Sequence, residues 1–105
     1  MKYQNEVYEF LTKIPKGKVV TYKDIAIYLG NESLSRVIGN VLHQNKDPLI
    51  YPCFKVVNSR GELADNFAFG GKENQKKMLE EDGVVVKDYK VDLTKYRWNR
   101  KWAKF

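Results

Sequence analysis

Ser33-Leu34-Ser35-Arg36-Val37-Ile38-Gly39-Asn40-Val41-Leu42-His43 carries the strongest helical periodicity in the chain. Leu34, Val37, Ile38, Val41 and Leu42 fall at i, i+3, i+4, i+7 and i+8, one face of an α-helix, and Ser33 offers an N-cap. Arg36, Asn40 and His43 occupy the opposite face at i, i+4 and i+7, with Gly39 beside them. That face is basic, polar and slim. A helix-interior glycine costs roughly 1 kcal/mol relative to alanine, so something approaches closely there. A DNA backbone or groove wall fits, and so does a second helix packed tightly.

Upstream, Thr21 can cap a helix in which Ile25, Ala26 and Leu29 share a face and Gly30 marks the end. Only Asn31-Glu32 then separates it from the helix beginning after Ser33. Such a connection matches a helix-turn-helix, whose second member usually faces nucleic acid, although many joined helices bind nothing. Val7, Phe10, Leu11 and Ile14 predict an earlier amphipathic helix over residues 5–14, stopped by Pro15 and Gly17. The short stretch Lys18-Val19-Val20 links the two.

Downstream, the helical period disappears from Lys46 to Gly71, where Pro48, Pro52, Gly61, Gly70 and Gly71 punctuate short extended pieces such as Phe54–Val57. A further helix is expected over residues 72–82, ending at Gly83. Val84-Val85-Val86 and Lys90-Val91-Asp92-Leu93, joined by Lys87-Asp88-Tyr89, read as a small hairpin. The fold class is therefore α/β (α+β): a winged-helix-like helix-turn-helix domain with a small C-terminal β-hairpin. With 105 residues and 43% hydrophobic content, the chain is expected to form one domain over 1–105.

Nineteen Lys and Arg against 13 Asp and Glu give a net charge of +6, which suits a polyanionic partner and equally a merely solvated surface. The stretch 95–105 interleaves bases with aromatics and holds no acid. It could grip a nucleic-acid strand, but Tyr96 and Trp98 are expected to pack on the domain; Trp102 and Phe105 remain open between the two uses. The single cysteine excludes an internal disulfide and suits a reducing compartment, expected to be the cytoplasm. No apolar signal core or membrane-length run is present. One cysteine and one histidine cannot build a four-ligand zinc site, and no phosphate-cradling glycine motif is found, so neither metal nor cofactor is expected.

Several motifs, in order and with their spacing intact, resemble the DNA-binding and active-site domain of the 6-O-alkylguanine-DNA alkyltransferases. They are Gly17-Lys18-Val19-Val20-Thr21-Tyr22-Lys23-Asp24-Ile25-Ala26, Ser35-Arg36-Val37-Ile38-Gly39-Asn40-Val41-Leu42, Asn45, Pro52-Cys53, and Val56-Val57-Asn58-Ser59-Arg60-Gly61-Glu62-Leu63. Residues 16–83, about two-thirds of the chain, carry the resemblance. It implies that the recognition helix enters the minor groove of double-stranded DNA and that an alkylated guanine is flipped into a protein pocket. Arg36 matches the family's arginine finger, which fills the gap left by the extruded base and offsets part of an unstacking cost of about a few kcal/mol. Tyr22 matches the tyrosine that crowds the target phosphate, while Gly39 and Asn40 lie on the same DNA-facing surface.

In active members of that family a cysteine thiolate attacks the alkyl carbon and keeps the group permanently. A free cysteine with a pKa near about 8.5 supplies little thiolate at neutral pH. The family uses Pro-Cys-His-Arg, in which a glutamate-oriented histidine takes the thiol proton through water. Here the match reads Pro52-Cys53-Phe54-Lys55, and the downstream carboxylate becomes Asp82. The resemblance thus assigns Cys53, Asn45 and Asp82 to active-site positions but breaks the relay at Phe54. With no histidine to orient, Asp82 is expected to cap a helix or to sit in solvent.

Tyr51, Pro52, Phe54, Phe67 and Phe69 are the candidates for a lesion pocket. The last two lie where the family places a loop over the alkyl group, and they could equally pack into a core. A second branch of the scaffold, the alkyltransferase-like proteins, binds alkylated guanine without repairing it and marks it for other repair proteins. This chain keeps the cysteine of the enzymes and lacks the separate N-terminal domain that many of them carry. The expected function is recognition of 6-O-alkylguanine by a monomer without efficient alkyl transfer. The alternatives are a methyltransferase whose Cys53 is activated by helix dipoles or Lys55, and a winged-helix regulator of undamaged DNA.

Overall fold

The computed structural model describes residues 3–98. Val7, Phe10 and Leu11 form the buried face of α1 (Gln4–Lys13). The chain then turns through Pro15 and Gly17 into β1 (Val20–Thr21) and α2 (Tyr22–Tyr28). Thr21 and Asp24 form a capping box: the Asp24 N–H donates to Thr21 Oγ1 at 3.1 Å, and the Thr21 N–H donates to Asp24 Oδ2 at 3.0 Å.

The connection to α3 (Ser35–His43) is longer than a two-residue turn, because residues Glu32–Leu34 form a 3-10 turn. Asn31, not Ser33, supplies the cap: its Oδ1 accepts from the Ser33 N–H at 3.0 Å and from the Ser33 hydroxyl at 2.6 Å. An amide oxygen two residues ahead closes this turn and swings Leu34 into the core, leaving α3 without a side-chain cap.

Cys53–Lys55 also departs from expectation. It is a 3-10 turn, and extended structure begins only at β2 (Val56–Val57). β2 runs parallel to β1 with Val20 opposite Val56 and Thr21 opposite Val57. α4 (Gly71–Glu81) follows, then the hairpin of β3 (Val86–Lys87) and β4 (Lys90–Val91). Its two-residue turn places Asp88 and Tyr89 at φ 53° and 58°, the backbone twist that primed hairpin turns require. The hairpin docks where a Cβ at Gly61 (φ +83°) would collide with the Val91 carbonyl. α5 (Leu93–Tyr96), capped by Asp92, is the last helix of the described residues. The α+β expectation holds.

Alternation along the β1–β2 pair separates two cores. Val20, Val56 and Cys53 join α1, α2 and α3 in the larger, while Val19, Val57 and Phe54 join Leu79, Val84 and the hairpin in the smaller. The segment after α5 flanks β1, with the Val19 N–H donating to the Tyr96 carbonyl and the Trp98 N–H to the Val19 carbonyl, each at 2.9 Å. Trp98 packs 5.6 Å from the Phe10 ring, and Tyr96 lies against the smaller core, so both pack as expected. Arg97 turns inward onto Asp24, which is 0% exposed, with Nη2 2.5 Å from Oδ1 and Nε 3.0 Å from Oδ2. The rest of the basic aromatic stretch, including Trp102 and Phe105, lies outside the described residues. No helix of the described residues is long and apolar enough to cross a membrane.

Candidate nucleic-acid interface

A cleft of about 540 Å³ opens between α3 and the segment 64–68. Arg36, Gly39 and Asn40 line one wall and Cys53 the other, with Tyr22, the first residue of α2, between them. The exposed face of the recognition helix and the thiol motif thus meet in one cavity. Arg36 is exposed, and none of the ion pairs of the described residues uses it. A Cβ added at Gly39 would meet nothing within 4 Å. Tight packing of another helix is therefore not what Gly39 serves; the space beside it is open.

Cys53 is 6% exposed, and burial pushes its thiol up. Hydrogen bonds from Asn45 and from its own backbone pull the other way, but less strongly. The Tyr22 phenol is likewise pushed up, first by burial and then by the charge that Cys53 would carry. Lys55, the nearest basic residue in sequence, does nothing for the thiolate. Its Nζ lies 2.9 Å from Asp82 Oδ2 and donates to the Pro15 carbonyl at 2.9 Å. A nucleophile needs its proton removed, and here the desolvated thiol holds it.

Of the other expected site residues only Phe67 lines the cleft. Asn45 is buried behind it, its Nδ2 donating to the Tyr51 carbonyl at 2.8 Å while its Oδ1 accepts from the Asp47 N–H at 3.1 Å. It fixes the loop that leads into the Cys53 turn. Tyr51 stacks on Tyr8 at 5.0 Å, and Pro52 anchors the 3-10 turn through its carbonyl, so neither lines the cavity.

Phe54 corrects the pocket assignment outright: consecutive residues of a tight turn point apart, and its ring enters the smaller core. Of the two loop aromatics Phe67 lines the cleft, whereas Phe69 packs edge-on against Phe67 at 5.7 Å. Asp82 is the C-cap residue of α4, as expected, but its carboxylate does not sit free in solvent. It holds Lys55 and accepts from the Gly17 N–H at 2.9 Å, tying the end of α4 to the turn before β1.

Gln75 lines the cleft with no claim from sequence alone, whereas His43 was read on the α3 face with Arg36, and Ala64, Asn66 and Ala68 belong to the loop that the resemblance placed over the alkyl group as a whole. His43 shares the α3 face with Arg36, which was signal enough. Gln75 was also detectable, because it sits one turn before Leu79 on the buried stripe of α4, where a polar side chain demands partners. Asn66 and Ala68 sit in an aperiodic loop, where the resemblance and no local pattern gave the reading.

Residues 2–84 match the family described as 6-O-methylguanine DNA methyltransferase, DNA binding domain. Alkyltransferase-like protein 1 of Schizosaccharomyces pombe is 34% identical over 102 residues, covering 92% of this chain and 94% of that protein. The DNA base-flipping protein of Vibrio parahaemolyticus is 33% identical over 96 residues, covering 89% of this chain and 92% of its own. The methylated-DNA–protein-cysteine methyltransferase of Candida glabrata is 36% identical, but this chain spans only 49% of it. The crystal structure of S. pombe Atl1 in complex with damaged DNA containing O6-carboxymethylguanine superimposes with a TM-score of 0.84 at 34% identity, covering 93% of this chain and 95% of that one. A thiol motif facing a recognition helix across one cleft, on a backbone shared with these proteins, means that the chain belongs to the 6-O-methylguanine DNA methyltransferase family through its DNA-binding domain.

Proposed function

We propose that this protein binds double-stranded DNA through α3, takes a flipped 6-O-alkylguanine into the cleft beside Cys53, and signals the lesion without efficiently accepting its alkyl group. One observation carries the reading: the cleft holds Arg36, Gly39 and Asn40 together with a buried thiol. Arg36 is the wedge that replaces the extruded base, and Tyr22 crowds its phosphate. Gly39 admits the groove wall. The similarity to Atl1, whose crystal structure contains damaged DNA, supports lesion binding. The position of Phe54 in the smaller core and the pairing of Asp82 with Lys55 support the absence of a proton relay. The lone thiol suits work in the reducing cytoplasm, as a monomer that hands the lesion to other repair proteins.

Intact mass spectrometry after incubation with a duplex carrying 6-O-methylguanine tests the proposal, with Cys53→Ala as control and binding followed in parallel. Selective binding without an adduct is expected. A stoichiometric methyl adduct confined to Cys53 would make this a methyltransferase that works without histidine, a reading favoured by the place of Cys53 on the cleft wall. Arg36→Ala should lower the lesion preference about tenfold. Equal weakening on damaged and undamaged DNA would make Arg36 a phosphate contact and favour a regulator of undamaged DNA.

A further inference from the structure

Two neighbouring amides on α4 hold both ends of the segment that borders the cleft opposite α3. Gln75 is 1% exposed. Its Oε1 accepts from the Ala64 N–H at 2.8 Å, and its Nε2 donates to the Phe54 and Val56 carbonyls at 3.0 Å and 3.2 Å. One side chain thereby joins α4, the start of the bordering segment, and the backbone that follows Cys53. Asn74 takes the other end: its Nδ2 donates to the Phe69 carbonyl at 2.5 Å. Gly70 lies close enough that a Cβ there would stand 3.0 Å from the Asn74 Cβ.

Between these anchors run Asn66, Phe67 and Ala68, all lining the cleft. The segment's own backbone bonds are few, Phe67 N–H to the Ala64 carbonyl at 3.3 Å and Gly71 N–H to the Phe67 carbonyl at 2.8 Å. Asp65, Asn66 and Ala68 are exposed. Its two ends are therefore held from α4, while Phe67 and Phe69 pack on the core between them. Only a carboxamide can serve at position 75, since the site demands one acceptor and two donated bonds; an ionised glutamate cannot donate, and methionine can do neither.

We infer that Gln75 and Asn74 form a clamp that sets the separation between segment 64–69 and the Cys53 wall, and with it the size of the 6-O substituent the cleft admits. The inference rests on the proposed function, which seats the alkylated base in this cleft. Both amides act as positioning residues, because the polar atoms of Gln75 are engaged by backbone and Asn74 reaches the segment from behind. Releasing either end lets the segment retreat and favours bulkier groups.

Equilibrium binding of wild type, Gln75→Met and Asn74→Ala to unmodified, 6-O-methylguanine and 6-O-benzylguanine duplexes tests this. In both variants the benzyl-over-methyl preference should rise by about threefold or more, with affinity for unmodified DNA kept within about twofold. Amide exchange over residues 65–69 should quicken by about tenfold. An unchanged preference, with affinity retained or lowered equally on all duplexes, overturns the clamp while leaving lesion recognition intact. Wild-type protein that binds all duplexes alike overturns lesion recognition and the clamp together. If Gln75→Met does not fold, Asn74→Ala, which gives up a single half-buried hydrogen bond to the segment, decides alone.

Discussion

The Cys53 turn has two sides that differ in kind. On its front, Cys53 faces a cleft whose far wall is a helix with an exposed arginine and an open glycine. On its back, Phe54 is packed with Val19, Val57 and Leu79, and Lys55 is closed onto Asp82 and the Pro15 carbonyl. The front keeps its polar groups available, whereas the back has satisfied them internally. By the resemblance read from the sequence, a histidine and a carboxylate would serve the thiol at the positions now taken by Phe54 and Asp82. Those two positions are taken up by packing and pairing, so the turn presents Cys53 to the cleft while neither of them serves the thiol.

Breaking the back should therefore cost folding. Lys55→Met leaves Asp82 with only the Gly17 N–H and the Pro15 carbonyl with only the Lys18 N–H, for an expected loss of about 3 kcal/mol in urea denaturation. A loss near zero would mean that the pair is merely tolerated. Phe54→His is the direct attempt to convert back into front. It puts an imidazole into an apolar cluster and should destabilise by about 2 kcal/mol, yet yield no methyl adduct on Cys53, because Asp82 remains committed to Lys55. An adduct in that single variant would show that the relay survives in latent form.

The front should behave in the opposite way. Gly39→Ala adds a methyl group in open space on a helix, so the fold should gain about 0.5–1 kcal/mol while DNA affinity falls. A gain in both would remove Gly39 from the interface. The smallest effect concerns Cys53 itself. Its folded pKa lies above the unfolded one, so the stabilisation tied to the protonated thiol is complete below the unfolded value, near about 8.5, and is lost as pH rises through the folded value. Iodoacetamide should modify native Cys53 more slowly than the urea-unfolded chain at pH 8.5, with the native rate rising only at higher pH. Equal rates would mean an accessible, activated thiol.

What the sequence made legible was mostly what periodicity encodes. The apolar stripes of α1, α2 and α3 predicted their buried faces, and the α3 stripe also placed Arg36, Gly39 and Asn40 together on the side that became a cleft wall. Turn geometry was the weaker part. Ser33 and Asn31 are both good cap residues, and only the need to bury Leu34 selects Asn31. The direction of Phe54 was hidden for a similar reason: a residue next to a site residue in a tight turn belongs to whichever core the turn backs onto, which no local pattern reveals. The pairing of Asp82 was opaque because its partners, Gly17 and Lys55, lie far away in the chain.

The pairing of Arg97 with Asp24 has a consequence for the order of assembly. The two residues are 73 positions apart, and the same C-terminal segment lies alongside Val19. Contacts of that sequence separation form late, because the loop must close before they contribute. The first turn of α2, where Tyr22 sits, thus acquires its guanidinium counter-charge only after residue 97 has been synthesised and the chain has folded back on itself. A ribosome-bound nascent chain stopped short of that point should carry a less stable helix-turn-helix than the longer chain, so competence to bind DNA would arrive near the close of folding.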